Sequence, residues 1–60
     1  IGNRQGEAAS LGNLGNAYYS LGQYPQALDF YEQSLAIQRE INDYQGEANS
    51  LNNLGNVYYS

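Results

Sequence analysis

Asn13 and Asn16 in one stretch, and Asn49, Asn53 and Asn56 in another, recur at spacings of three and four. A primary carboxamide carries N–H donors and a carbonyl acceptor, the same two functions that a peptide bond carries. Rows of such groups can hold an extended backbone without reading its side chains. At 100° per residue, Ala9, Asn13, Asn16 and Ser20 fall on one side of a helix, and Asn49, Asn53, Asn56 and Ser60 do so in the second stretch. Asn is a middling-to-poor helix former because its side chain competes for the backbone, so propensity does not explain the rows. Tyr19 and Tyr59 sit at the edge between the polar and apolar sides, placed to stack on a ligand or to flank a groove. A second reading stays open: solvated polar residues kept when a segment was duplicated.

Little other chemistry can be assembled. The charged side chains are Arg4, Arg39, Glu7, Asp29, Glu32, Glu40, Asp43 and Glu47, and the 60 residues contain no Lys, His, Cys, Met or Trp. Without Cys there is no disulfide, thiolate site or Cys nucleophile. Without His the usual proton shuttle and commonest metal ligand are missing. No nucleophile–base pair or metal cluster follows, so neither an enzyme nor a cofactor is expected. A net charge of −4 with two Arg argues against nucleic acid, which is held mainly through cations on phosphate. No apolar run is long enough to span a membrane, and the expected location is the cytoplasm. Glu7 and Glu47 suit the positive end of a helix dipole, and Asp29 and Glu32 read as a solvated face. Gly12-Asn13-Leu14-Gly15 lies inside a helix pattern and lacks the Lys of a phosphate loop. The chain opens at Ile1 rather than Met, as a trimmed or fragmentary chain does.

The elements that must position these groups are repeated. A shift of 40 residues aligns 1–20 with 41–60, and Ile1, Gln5, Gly6, Glu7, Ala8, Ser10, Leu11, Asn13, Leu14, Gly15, Asn16, Tyr18, Tyr19 and Ser20 all recur. One full unit is followed by half of the next. A period of this length means stacked supersecondary units. Ala8, Leu11, Leu14, Gly15, Tyr18 and Leu21 form the apolar stripe of a helix near 4–21, opened by Asn3 as N-cap and closed by Gly22 in a left-handed turn. Leu28, Tyr31 and Leu35, with Ala27 and Ser34 beside them, mark a second helix from about Pro25 to about Ile41, Pro being suited to a first helical position. Asn42 fits a positive φ and Asp43 caps a third helix near 44–59. Gly2-Asn3 stands at the matching place before the first helix. Short loops make neighbouring helices antiparallel. Gly15, Ala27 and Ser34 allow close approach, with Tyr18, Tyr24 and Tyr31 filling around them. Tyr18 and Tyr58 are expected in the core, and Phe30 beside the second stripe.

Leu11-x-x-Leu14-Gly15-x-x-Tyr18, then Gly22-x-Tyr24-x-x-Ala27, then Tyr31-x-x-Ser34, resembles the tetratricopeptide repeat along the whole chain. The usual period of that family is 34 residues, often closing with Pro. Here the period is 40, with Arg39 where Pro would fall, which is similar to the asparagine-rich repeats of kinesin light chains. The resemblance implies an all-α helix-turn-helix repeat in a right-handed solenoid, with three helices and about one and a half repeats. It implies a protein–protein interaction module that takes an extended peptide in the concave groove of the first and third helices, lined by Asn13, Asn16, Asn53 and Asn56. Some members clamp a terminal carboxylate with Lys or Arg. Gly12 and Asn52 stand at one such place here, so no clamp is expected. Helix axes ~8–10 Å apart and ~3.3 Å per extended residue give about three ligand residues per repeat.

Arrays of this kind normally need about three units and polar caps at their ends. This chain has fewer, and its last helix keeps Leu51, Leu54, Gly55 and Tyr58 as an apolar set. Self-association through those residues is expected. A two-fold dimer, with helices open to exchange between copies, comes first and head-to-tail stacking second. Membership of a longer array is the third possibility. The competing function is that of a minimal or engineered repeat fragment whose only activity is assembly.

Overall fold

The computed structural model describes residues 3–59. Three helices follow in order: α1 (Arg4–Ser20), α2 (Tyr24–Glu40) and α3 (Tyr44–Tyr59). No strand occurs among the described residues. Gly2, Ile1 and Ser60, on which parts of the repeat and capping pattern fall, lie outside them.

Local chemistry sets the ends. The Asn3 side chain accepts from the Gly6 N–H at 2.9 Å, and Asp43 accepts from the Gly46 N–H at 3.0 Å. Each satisfies one of the donors that a helix start leaves without an internal partner. The two turns share one motif. After α1, Gly22 takes φ +76°, Gly22 N–H reaches Tyr19 O at 3.0 Å and Gln23 N–H reaches Tyr18 O at 2.9 Å. After α2, Asn42 takes φ +60°, with Asn42 N–H to Arg39 O at 3.3 Å and Asp43 N–H to Gln38 O at 2.8 Å. This crossed pair of bonds needs a left-handed residue, which Gly supplies freely and Asn tolerates. Pro25 is the second residue of α2, still in the turn where a missing N–H does no harm.

α2 is the middle layer. It packs on α1 with one side and on α3 with the other, while α1 and α3 barely touch. The molecule measures 32 × 20 × 12 Å, and its short dimension is about one helix diameter. Ala27, Tyr31 and Leu35 of α2 meet Leu54 and Val57 of α3 in the core, flanked by Tyr18, Tyr19 and Leu28. Against α1, the Tyr31 ring occupies the space over Gly15, where a Cβ would lie 2.6 Å from two ring carbons. The buried Ser34 hydroxyl donates to Ala8 O at 2.8 Å. Tyr18 stacks on Phe30 with centroids 5.3 Å apart. Between α2 and α3 the Ser50 hydroxyl donates to Gln38 Oε1, so both buried polar side chains are satisfied.

Several packing expectations need correction. Tyr58, expected in the core, is 69% exposed, and Leu14 and Leu21 of the α1 stripe are 44% and 68% exposed. Leu54, grouped with a face for self-association, is instead buried at 8%. One cause covers these cases. Tyr18 is covered by Phe30 of α2, but no described helix lies against the matching side of α3. Leu54 packs on α2, but none lies against the matching side of α1. Ile37, Gln38 and Val57 are buried residues that the helical stripes did not single out.

Candidate functional site

Asn16 and Tyr19 lie one turn apart on α1, and Asn53 and Asn56 lie one turn apart on α3. Tyr31 rises between them from α2. These five side chains line one half-open cavity of about 220 Å³. Its polar groups are three carboxamides and two phenols. No Asp, Glu, Lys, Arg or His is among the lining residues.

The cavity has a hydrogen-bonded floor. The Tyr31 hydroxyl donates to Asn16 Oδ1. Burial, with a smaller contribution from Tyr19, pushes the Tyr31 phenol above its ordinary value. Tyr19 leans on Tyr24 at 5.5 Å between centroids with the rings tilted 43°, which holds the cavity's outer wall. The arginines are engaged elsewhere. Arg4 bridges Glu7 and Glu40, each at 2.7 Å, and Arg39 meets Glu47 at 2.9 Å. The Glu40 hydrogen bond and charge, then Glu7, raise the Arg4 pKa. These pairs tie α1 to α2 and α2 to α3 at the surface, where an ion pair contributes little.

Four of the residues singled out for peptide contact therefore come together: Asn16, Tyr19, Asn53 and Asn56. Asn13, Asn49 and Tyr59 are exposed and outside this lining, Tyr59 at 95%. The separation follows from the repeat. α3 is a copy of α1 displaced by one unit, so α1 meets the groove with its later edge and α3 with its earlier edge. Asn16 and Tyr19 are the later edge. Asn53 and Asn56 match Asn13 and Asn16, the earlier edge. Asn13 and Tyr59 consequently sit on the outer margins of the pair.

From the sequence, Tyr31 is expected only as packing between helices. A signal was present: Phe30 beside it needs no polar partner, whereas a buried phenol usually does. No cluster of His, Cys, Asp and Glu able to hold a metal occurs among the described residues, and no described helix is long and apolar enough to cross a membrane.

Compared with known families, the chain matches the model described as tetratricopeptide repeat over residues 2–60. No curated protein and no solved structure matches.

Proposed function

The chain belongs to the tetratricopeptide-repeat family, a family of protein–protein interaction modules, and from that premise we propose that it binds an extended peptide across α1 and α3. We read 1–40 as one full repeat and 41–60 as the first helix of the next. The reading rests chiefly on the neutral cavity built from Asn16, Tyr19, Tyr31, Asn53 and Asn56. Carboxamides pair with the N–H and C=O of a peptide bond, and a phenol face suits the apolar stem of a ligand side chain. Asn13, Asn49 and Tyr59, on the margins, extend contact where a longer ligand overhangs the pair. One cavity grips about three extended residues, so binding by a single copy is weak. The test is fluorescence anisotropy with a pool of labelled, uncharged, extended peptides on wild type and an Asn16→Ala, Asn56→Ala double variant. Equal affinity for the two proteins ends this reading.

A second reading is favoured by a specific observation. On α3 the apolar side remote from α2 carries Leu51 at 47% and Tyr58 at 69% exposure, with Gly55 between them facing open space. We propose that this face takes a second copy, as a two-fold dimer before a stacked array. Leu54 is not part of it, being committed to the core. Sedimentation over a concentration series checks the proposal. A single folded monomer species up to millimolar concentration rules it out.

A further inference from the structure

Asn16 is a cavity carboxamide whose orientation is tied to a buried phenol. Tyr31 is 2% exposed, and its ring is fixed by packing over Gly15. Its hydroxyl emerges at the cavity floor and donates to Asn16 Oδ1. A free carboxamide turns over with almost no change of shape, exchanging its acceptor for its two donors. A phenol donates better than it accepts, because its lone pair is drawn into the ring; Oδ1 therefore turns to Tyr31, and the amino group is what Asn16 presents elsewhere.

We propose that Tyr31 is a positioning residue that fixes Asn16 as a hydrogen-bond donor to the groove, so that the site takes a neutral carbonyl oxygen at that point, such as the C=O of a ligand's peptide bond. This rests on the peptide-groove reading and adds the polarity of one contact within it. The absence of charge in the lining selects among acceptors. A carboxylate would lose water there with no cation to replace it, a large cost, whereas an amide carbonyl gives up much less. Without the phenol, Asn16 would serve a ligand N–H as readily as a ligand C=O.

Two small probes separate the polarities. N,N-dimethylacetamide has a carbonyl acceptor and no N–H. Pyrrole has an N–H donor and no oxygen. Each is titrated into the isotope-labelled chain while the side-chain amide signals of Asn16, Asn53 and Asn56 are followed by NMR. The net worth of one hydrogen bond sets the expected preference of wild type for N,N-dimethylacetamide at about fivefold. Tyr31→Phe keeps the ring over Gly15 and removes the hydroxyl, and the preference should fall towards one. Asn16→Asp, at an exposed position, keeps an acceptor for Tyr31 and removes the amino group. It should lose N,N-dimethylacetamide and gain pyrrole, which assigns the wild-type preference to the Asn16 amino group; equal wild-type affinities for the two probes overturn the inference even if Tyr31→Phe does not fold. A preference unchanged in Tyr31→Phe, or both affinities falling in parallel, overturns the positioning role and leaves the groove reading standing. Failure of both probes to move the cavity signals of wild type overturns the groove reading and this inference with it.

Discussion

Replacing Gly15 and Gly55 by Ala, one at a time, should move stability in opposite directions, although the two glycines occupy the same place in successive units. Both lie inside a helix, where Ala is worth ~1 kcal/mol over Gly. At Gly55 a new Cβ meets nothing within 4 Å, so Gly55→Ala keeps most of that gain, about 0.5–1 kcal/mol. At Gly15 the Cβ would lie 2.6 Å from two carbons of the Tyr31 ring and 3.1 Å from a third. That ring is buried and hydrogen-bonded to Asn16, so it cannot withdraw without giving up a partner. Overpacking of a fitted contact costs roughly 1–3 kcal/mol. The upper part of that range outweighs propensity and leaves Gly15→Ala about 1–2 kcal/mol less stable. In a chain of this size 1 kcal/mol moves Tm by roughly 4–8 °C. Thermal unfolding followed by far-UV circular dichroism, at low micromolar concentration, should show Gly55→Ala above wild type and Gly15→Ala well below it. Shifts of the same sign would refute the packing argument. The comparison also reports on assembly. If a second copy covers α3, the gain at Gly55 shrinks as protein concentration rises and reverses where the dimer dominates.

Three further outcomes follow from contacts described above. The Tyr31 phenol is raised above its ordinary 10.0 in the fold, so the folded state holds that proton more tightly than the unfolded state. Its contribution is intact below pH ~10 and is lost as pH climbs through the folded-state value; urea midpoints between pH 8 and 12 should decline more steeply for wild type than for Tyr31→Phe. Asn3→Ala and Asp43→Ala each remove a side-chain acceptor from a helix start and should each cost ~1 kcal/mol in urea unfolding. Arg4→Gln breaks two exposed ion pairs; it should lower Tm only slightly at low salt and not at all in 1 M NaCl, because exposed pairs are weak and screened.

How much of this was legible in the sequence depended on the range of the interaction. The turns were legible because their causes lie within a few residues. Asn3 and Asp43 bond N–H groups three positions ahead, and Gly22 and Asn42 are residue types that tolerate positive φ. The close approach at Gly15 was only partly legible: the glycine marked a place for it, but the Tyr31 ring fills that place, and the matching Gly55 faces open space. The fate of the tyrosines was not legible. Tyr18 and Tyr58 have nearly the same neighbours in the chain, Gly15-Asn16-Ala17 and Gly55-Asn56-Val57. One is stacked on Phe30 and the other is 69% exposed. Leu14 and Leu54 divide the opposite way, at 44% and 8%. A stripe of apolar residues states that a helix has two sides to cover. It does not state which side a given copy has covered.

The same asymmetry governs the site. A groove between a helix and its displaced copy uses different edges of one motif, so a residue's role depends on which copy carries it as well as on its place in the motif. Asn16 and Asn56 both line the cavity, because the position they share lies on both edges. Asn53 lines it while Asn13 does not, and Tyr19 lines it while Tyr59 does not. Adding a unit on either side would convert Asn13 or Tyr59 into a lining residue of the next groove without altering either helix.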